Sequence, residues 1–269
     1  MAPEELRKYA HTSGPIIAAP QIASQTGEMT EQNRTVGVLG GMGPEATVDF
    51  MSKVIAATPA DKDQDHVHMV VDHNPKVPNR QDAILGGGEN PGLALAAMAA
   101  RLETAGADFL VIPCNTAYVF SSSVSTVTGI PLLSIIDVTI AAIAERRPGA
   151  KKVGVLATDG CLRANVYQEA MAEQGIEAIL PNEQEIDQFM KLVGRIKGGY
   201  RGDTIASKMA AIANALVGRG AQAIIAGCTE VPLVLNNAML DVPLISSTDV
   251  LAEKTAAIAR GELPLPHQE

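Results

Sequence analysis

Residues 36–55, VGVLGGMGPEATVDFMSKVI, begin with a short apolar run, pass through a glycine-rich turn and continue with residues that are compatible with a helix. Residues 153–171, VGVLATDGCLRANVYQEAM, follow the same order. A short apolar run that ends at turn residues is typical of a buried strand. The two stretches therefore predict two copies of one unit, each a β-strand followed by a turn and an α-helix.

Two further pairs of segments extend this internal repeat. In the first half, ADFLVIPCNTAY (107–118) is followed by GIPLLSIID (129–137), and in the second half AQAIIAGCTEVP (221–232) is followed by DVPLISSTD (241–249). The distances along the chain between corresponding segments are nearly equal. Matches of this number, in the same order, indicate a duplicated structural unit.

Strand-like apolar runs alternate with helical segments in both halves, for example at residues 93–105 and 204–217. Such alternation predicts βαβ units and mostly parallel sheets that are covered by helices. Open parallel sheets bind ligands beyond the carboxyl ends of their strands. We therefore expect an α/β fold with two pseudo-symmetric domains, each a mostly parallel sheet flanked by helices, and an active-site cleft between them.

The chain is expected to divide near Pro148 and Gly149, which end the preceding helical segment. The N-terminal residues are polar and punctuated by Pro, Ser and Thr, a pattern typical of a flexible extension. The predicted organisation is a flexible N-terminal extension at 1–34, a first α/β domain at 35–148, a second α/β domain at 149–252, and a C-terminal helix or tail at 253–269 that packs back on the first domain.

The composition argues against several classes of partner. The chain has 269 residues, a formal net charge of -9 and a pI near 5.1, and no cluster of Lys and Arg offsets this charge, so nucleic acid is not an expected partner. No apolar run approaches the roughly 18 residues that span a bilayer, so we expect no membrane partner. Three cysteines in a chain of this length do not form a disulfide framework, which favours reduced thiols and a cytoplasmic location.

Cys114 and Cys228 occupy corresponding places in the two halves, each after an apolar strand and before residues that can start a helix. Both thiols should therefore lie at the ligand-binding edge of their sheets, where a cleft would bring them together. A thiol at a helix N-terminus is expected to have a lowered pKa. Such a pair can supply the base and the acid that inversion of a carbon centre requires. Cys161, in the second glycine turn, is more typical of a buried structural thiol.

Five motifs in order, VGVLGGMGPEAT, NPKVPNR, PCNTAY, RIKGGY and GCTEVPLV, resemble the aspartate/glutamate racemase family over residues 35–257. Members of that family are racemases of acidic amino acids that need no cofactor, have two pseudo-symmetric α/β domains and are commonly homodimers. The glutamate racemase branch usually has an Asp-Ser pair in the first glycine turn, where this chain has GGMGP. The resemblance therefore favours the aspartate racemase branch, with an acidic amino acid as the ligand, no cofactor and a homodimeric assembly.

The resemblance also implies roles for individual residues. It makes Cys114 and Cys228 the two catalytic groups that exchange protons with the substrate carbon. Tyr118 stands where many relatives have histidine, and Glu230 either tunes Cys228 or caps the helix expected after it. The residues implied to bind substrate are Asn115, Thr116, Thr158 and Thr229 at the amino acid end, Arg80 and Lys197 at the side-chain carboxylate, and Met42 at the floor of the pocket.

Other interpretations of these residues stay open. The first glycine turn lacks the spacing of dinucleotide-binding and phosphate-binding loops. His66, His68, Asp72 and His73 suggest metal ligands, although a solvated strand end explains them better, and no metal is expected. The alternatives for function are another lyase or isomerase of the superfamily, such as a decarboxylase or a maleate isomerase, and a non-catalytic protein that binds acidic amino acids.

Overall fold

The computed structural model describes residues 33–267, so the predicted extension at 1–34 lies outside the described residues except for Asn33 and Arg34. The described chain forms two four-stranded sheets in which every pair of neighbouring strands is parallel. The predicted α/β fold with two parallel sheets flanked by helices is confirmed. No helix within residues 33–267 is long and apolar enough to cross a bilayer.

The first half of the chain builds a sheet in the order β2-β1-β3-β4. Its strands are β1 (Val36–Gly40), β2 (Met69–His73), β3 (Phe109–Val111) and β4 (Leu132–Leu133). Its helices are α1 (Pro44–Ala56), α2 (Arg80–Ile84), α3 (Gly92–Thr104), α4 (Asn115–Tyr118), α5 (Ser121–Ser125) and α6 (Ile135–Arg146), with a short 3-10 helix at Asp63–Asp65.

The second half repeats this plan in the order β6-β5-β7-β8. Its strands are β5 (Lys152–Leu156), β6 (Glu177–Ile179), β7 (Ile224–Ala226) and β8 (Leu244–Ser246). Its helices are α7 (Asp159–Arg163), α8 (Val166–Glu173), α9 (Glu183–Lys197), α10 (Asp203–Gly218) and α11 (Ser247–Ala259), with short 3-10 helices at Val231–Leu233 and Asn237–Met239.

The central strands β1, β3, β5 and β7 are buried on both faces except at Lys152, as parallel sheets covered by helices require, whereas the edge strands β2 and β6 are only partly buried. Successive residues of a strand point to opposite faces. In β1, Val38 therefore joins a core that is shared by the two halves, whereas Leu39 packs in a core of the first half alone. In β5, Val155 joins the shared core and Leu156 packs in a core of the second half. The two halves are thus joined by apolar packing along one face of each sheet.

The last helix of each half packs against the other half. α6 lies on α8 and β8 of the second half, α11 lies on α1 of the first half, and α6 and α11 contact each other. Both helices begin with the same cap: the Ser134 hydroxyl accepts a hydrogen bond from the Asp137 backbone N–H at 3.0 Å, and the Ser246 hydroxyl accepts one from Asp249 at 3.2 Å. A serine cap of this kind stabilises a helix by about 1 kcal/mol. Equivalent sequence signals therefore start the two exchanged helices.

α11 extends across the predicted boundary between residues 252 and 253. The helix continues through this point because residues on both sides of it, including Leu251 and Ala256, are buried in the shared core. Its contact with α1 includes Lys53, whose ammonium lies 2.7 Å from Asp49 and 2.6 Å from Asp249. The C-terminal helix that packs on α1 and α6 thus begins at Ser247, before the predicted boundary.

The glycine of each VGVL repeat allows a helix to approach its strand closely. A Cβ atom on Gly37 would lie 3.1 Å from the Leu102 Cβ on α3, and a Cβ atom on Gly154 would lie 3.0 Å from the Leu216 Cβ on α10. Contacts this short are repulsive in a close-packed interior. The repeated glycine is therefore a packing requirement at corresponding positions of the two halves.

We predict that Gly154→Ala lowers the free energy of unfolding by about 1–3 kcal/mol, because the added methyl group overpacks the contact between β5 and α10. Urea denaturation measures this change. Gly194→Ala is the matched control, since Gly194 is exposed on α9 with open space around it and alanine there should stabilise the helix by about 0.5–1 kcal/mol. Equal effects of the two substitutions would contradict the packing argument.

Candidate active site

One pocket, here called the two-cysteine pocket, lies beyond the carboxyl ends of strands from both sheets, as expected for parallel sheets. Its cavity volume is about 30 Å³. It brings together all of the predicted catalytic and substrate-binding residues, together with Glu230. The residues that line it are Met42, Asn79, Arg80, Gln81, Cys114, Asn115, Thr116, Thr158, Lys197, Cys228, Thr229 and Glu230.

Cys114 and Asn115 are held at the end of β3, where Cys114 precedes the first turn of α4. The Asn115 side chain is fixed from both ends: its Oδ1 accepts a hydrogen bond from the Tyr167 hydroxyl at 2.6 Å, and its Nδ2 donates to the Ser247 Oγ at 3.0 Å. Burial raises the pKa of Tyr167, so its hydroxyl remains a donor. Ser247 in turn donates to the Ala226 carbonyl at 2.8 Å. The orientation of Asn115 thus depends on two residues of the second half.

Thr116 and Thr158 join the two halves inside the pocket. Their hydroxyl oxygens lie 2.8 Å apart, and both side chains are buried. Thr116 follows β3 and Thr158 follows β5, so a hydrogen bond between them links the ends of the two sheets. Two hydroxyl groups carry two protons, and the bond between them uses one, so the second proton can be donated to a ligand.

Cys228 lies beside a buried carboxylate. Its Sγ donates a hydrogen bond to Glu230 Oε2 at 3.0 Å, and both side chains are almost fully buried. Burial raises the pKa of Cys228 well above its usual value, and the negative charge of Glu230 raises it further. Both causes favour the neutral thiol. Cys228 is therefore a proton donor in this arrangement.

The expectation that helix dipoles lower the pKa of both thiols is wrong for Cys228. The chain after Cys228 forms a 3-10 helix at Val231–Leu233 instead of an α-helix. The helix after Cys114 has only four residues, and a helix this short has little dipole to offer. Burial and the neighbouring carboxylate therefore decide the protonation of Cys228. Glu230 is expected from the sequence either to tune Cys228 or to cap an α-helix. Its position agrees with the first of these roles, because Glu230 contacts the thiol and no α-helix follows it directly.

Arg80 is the first residue of α2 and points a partly unused guanidinium group into the pocket. Its Nη1 donates to the carbonyl oxygens of Val77 at 3.2 Å and Pro78 at 3.0 Å, both in its own loop. Its buried Nε has no hydrogen-bond partner among the described residues. A buried, unpaired donor is costly unless a ligand satisfies it. Arg80 can therefore bind an anionic ligand group.

Lys197, the last residue of α9, is the second cation of the pocket. Its Nζ lies 3.7 Å from Glu230 Oε1. Burial lowers the pKa of Lys197, but Glu230 and the two pocket cysteines raise it by more, so the net shift is upward. Four residues later, Arg201 forms an ion pair with Glu45 on α1. The segment that carries Lys197 is therefore tied to the first half beside the pocket.

Asn79 and Gln81 also line the pocket, although the NPKVPNR motif implies no role for Asn79 and Gln81 follows that motif. Asn79 caps α2, because its Oδ1 accepts a hydrogen bond from the Gln81 backbone N–H at 3.0 Å. The only local sign of this role is an asparagine at the residue before a helix, where such caps are common. No sequence motif indicated that Tyr167 and Ser247 would orient Asn115, because each contacts it from the other half of the chain.

Tyr118 and Cys161 do not line the two-cysteine pocket. Tyr118 lines a separate cavity of about 270 Å³ that includes Pro131 and His267, and it packs against the shared core. Its backbone N–H donates to the Cys114 carbonyl at 3.3 Å, and a tuning role for Tyr118 stays a prediction. Cys161 is buried in the shared core, and burial, followed by the charge of Cys114, raises its pKa to about 12.

The histidines of β2 and the loop before it form no metal site in the structure. His68 Nδ1 lies 3.1 Å from the Thr35 hydroxyl, and Asp72 binds Arg101 at 2.7 Å. Across residues 33–267, no group of three or more His, Cys, Asp and Glu side chains is arranged to hold a metal ion.

Comparisons with known proteins agree with the fold. The family model described as Asp/Glu/hydantoin racemase matches residues 39–255. The broad specificity amino-acid racemase RacX of Bacillus subtilis is 29% identical over 229 residues, which cover 82% of this chain and 96% of that protein. Among solved structures, Picrophilus torridus aspartate racemase has a TM-score of 0.74 and 28% identity, with coverage of 85% of this chain and 94% of that chain. An aspartate racemase homologue from Pyrococcus horikoshii, at 23% identity and a TM-score of 0.67, covers 84% of this chain and 99% of its own, and shares the fold. The family resemblance of the motifs is confirmed.

We predict that Glu230→Gln speeds alkylation of Cys228 by iodoacetamide at about pH 8. The substitution removes the negative charge that raises the pKa of Cys228, so a larger fraction of the thiol ionises, and the thiolate is the reactive form. Mass spectrometry of peptides taken along a time course measures the rate. Glu177→Gln, at an exposed position of β6, is the matched control and should leave the rate unchanged. A slower reaction of Cys228 in Glu230→Gln would contradict the assigned cause.

Proposed function

Because this chain belongs to the Asp/Glu/hydantoin racemase family, we propose that it interconverts L- and D-aspartate without a cofactor, by proton transfer at Cα between Cys114 and Cys228. The observation that carries the proposal is that two thiols from corresponding strand ends line one pocket together with Arg80 and Lys197. Glutamate is the nearest alternative substrate, since it differs from aspartate by one methylene group.

Inversion of a carbon centre needs a base on one face and an acid on the other. Cys228 is suited to be the acid, because burial and Glu230 hold the proton on its sulfur. The Cys114 thiolate removes the α-proton from one face, and the Cys228 thiol then gives its proton to the opposite face of the carbanion. Cys114 ends as the thiol and Cys228 as the thiolate, which is the arrangement that runs the reverse reaction.

Glu230 favours the resting state in which Cys228 carries the proton. Its carboxylate accepts the Cys228 hydrogen bond at 3.0 Å, and like charges repel once Cys228 has become a thiolate. The Lys197 ammonium, 3.7 Å from Glu230, offsets part of this repulsion. Cys228 is therefore proposed to rest as the neutral thiol that protonates the carbanion, and Lys197 makes its thiolate accessible.

The carbanion must be stabilised by donors that are already oriented. Asn115 is suitable because Tyr167 and Ser247 fix its amide from both ends. The Thr116 and Thr158 pair holds one hydroxyl proton free for a ligand. We propose that these donors, with Thr229, hold the α-carboxylate, into which the carbanion charge spreads.

The side-chain carboxylate of the substrate is assigned to Arg80 and Lys197. The unpartnered Arg80 Nε and the Lys197 ammonium line the same pocket, and charge-assisted hydrogen bonds from such groups are among the stronger polar contacts in proteins. The 28% identity with an aspartate racemase supports aspartate as the substrate.

A racemase of broader substrate range is a second candidate. Glu230 lies close enough to Lys197 to cancel part of its charge, which weakens the demand for an anionic side chain. The similarity to the broad specificity racemase RacX supports the same candidate.

We predict that Cys114→Ser and Cys228→Ser each lower racemisation of L-aspartate by about 10²–10⁴-fold, because each removes one of the two acid–base groups. Circular dichroism of the amino acid measures racemisation, and NMR in D₂O should find deuterium at the α-position of the wild-type product. Cys161→Ala is the matched control and should retain activity. Racemisation at the wild-type rate in either serine variant would refute two-base catalysis.

We predict that Lys197→Met lowers kcat/KM for L-aspartate about 10–100-fold and changes kcat/KM for L-asparagine much less, because only aspartate carries the charge that Lys197 binds. Lys191→Met, at an exposed position of the same helix, is the matched control. The ratio of the two kcat/KM values is the measurement. An unchanged ratio would favour the broader substrate range and remove Lys197 from carboxylate binding.

A further inference from the structure

Gln81 connects the two halves of the chain at the wall of the pocket. Its Oε1 accepts a hydrogen bond of 2.7 Å from the backbone N–H of Gly160, which lies 79 positions away. Gln81 follows Arg80 on α2, and Gly160 lies on α7, two residues after Thr158. One hydrogen bond thus joins the helix that carries Arg80 to the helix that begins beside Thr158.

Gly160 is shaped to receive this side chain. A Cβ atom on Gly160 would lie 2.3 Å from Gln81 Oε1, a distance that van der Waals repulsion does not allow, and 3.2 Å from its Cδ, which is a tight contact. The orientation of the amide is also determined, because an N–H donor requires the oxygen of the amide and not its nitrogen. Gln81 and Gly160 therefore fit each other only as a pair.

Among the described residues, the other polar contact from α2 to the second half is weak, with Gln81 Nε2 3.9 Å from the Met190 sulfur on α9. Arg80 Nη1 donates hydrogen bonds to Val77 and Pro78, in the loop before α2. These bonds hold the guanidinium to its own loop and do not fix that loop relative to the second half. α2, α4 and α7 pack on one another, and the Thr116 and Thr158 pair joins α4 to the start of α7. The hydrogen bond from Gly160 to Gln81 adds a directional polar contact to this packing.

We propose that Gln81 is a positioning residue that sets the separation between the Arg80 guanidinium and the pocket thiols, and thereby the length of side chain that the pocket accepts. This inference rests on the proposed racemisation of an acidic amino acid. The carbon that reacts must lie between the sulfurs, while its distal carboxylate must reach Arg80. Aspartate and glutamate differ by one methylene in that span, so a fixed α2 favours one of them and a mobile α2 discriminates less.

A double-mutant cycle tests this role. Gln81→Ala removes the hydrogen bond, and Gly160→Ala displaces the Gln81 amide without changing a residue that lines the pocket. Each should raise KM for the preferred acidic amino acid about tenfold, with kcat changed less than about threefold, and should reduce the ratio of kcat/KM between aspartate and glutamate. The double variant should be no worse than Gln81→Ala alone, because the small side chain at position 81 leaves room for the methyl group at position 160.

Controls separate this role from a loss of stability. Gln184→Ala, at an exposed position of α9, should leave every constant unchanged. Gln81→Met keeps the size of the side chain without the amide oxygen and should behave like Gln81→Ala. Melting temperatures are recorded for each variant, and if Gly160→Ala does not fold, the comparison of aspartate with glutamate in the two Gln81 variants decides the question.

The failure of this inference is distinguishable from the failure of the proposed function. Absence of α-deuterium exchange in the wild type refutes racemisation, and the same cycle is then measured by calorimetric binding of L-aspartate and L-glutamate. Four outcomes would each overturn the role of Gln81. The first two are an unchanged ratio of kcat/KM between aspartate and glutamate, and strictly additive effects in the cycle. The others are a fall in kcat with KM unchanged, and absence of binding to the wild type.

Discussion

The proton exchange proposed for Cys114 and Cys228, which lie in different halves of the chain, requires that the halves keep a fixed separation. The structure meets this constraint by apolar packing between the sheets, in a core that includes Val38 and Val155. The exchanged helices α6 and α11 add a second layer of contact, since each packs on the half that it does not belong to. Close-packed interiors resist small displacements. The pocket is therefore a product of packing between the halves.

Polar bonds refine this arrangement at the strand ends. Thr116 with Thr158, Asn115 with Tyr167, and the ion pair between Glu45 and Arg201 all cross between the halves. Each replaces a freely moving side chain by one with a fixed direction, which is what preorganised stabilisation of charge requires. One buried carboxylate, that of Glu230, contacts both Cys228 and Lys197 and so affects the charge of both groups.

Much of the fold and of the pocket could be predicted because both follow from strand ends. The VGVL repeats and the cysteine motifs mark corresponding strands, and parallel sheets bring the residues after such strands to one edge. Other features could not be predicted. Gln81, Tyr167 and Ser247 act through partners 79, 52 and 132 positions away. Tyr118 ends α4 and packs against the shared core, and it is not among the residues that line the two-cysteine pocket.

The sequence by itself determined the duplicated α/β plan, the place of each cysteine at the end of a strand and the family to which the chain belongs, because apolar patterns and turn residues act locally. Only the tertiary structure decided that Cys228 holds its proton, that α6 and α11 each pack against the opposite half and that Gln81 contacts Gly160. The pKa of a thiol depends on burial and on charges a few ångströms away. Those distances are set by residues far apart in the chain, and only the folded molecule brings them together.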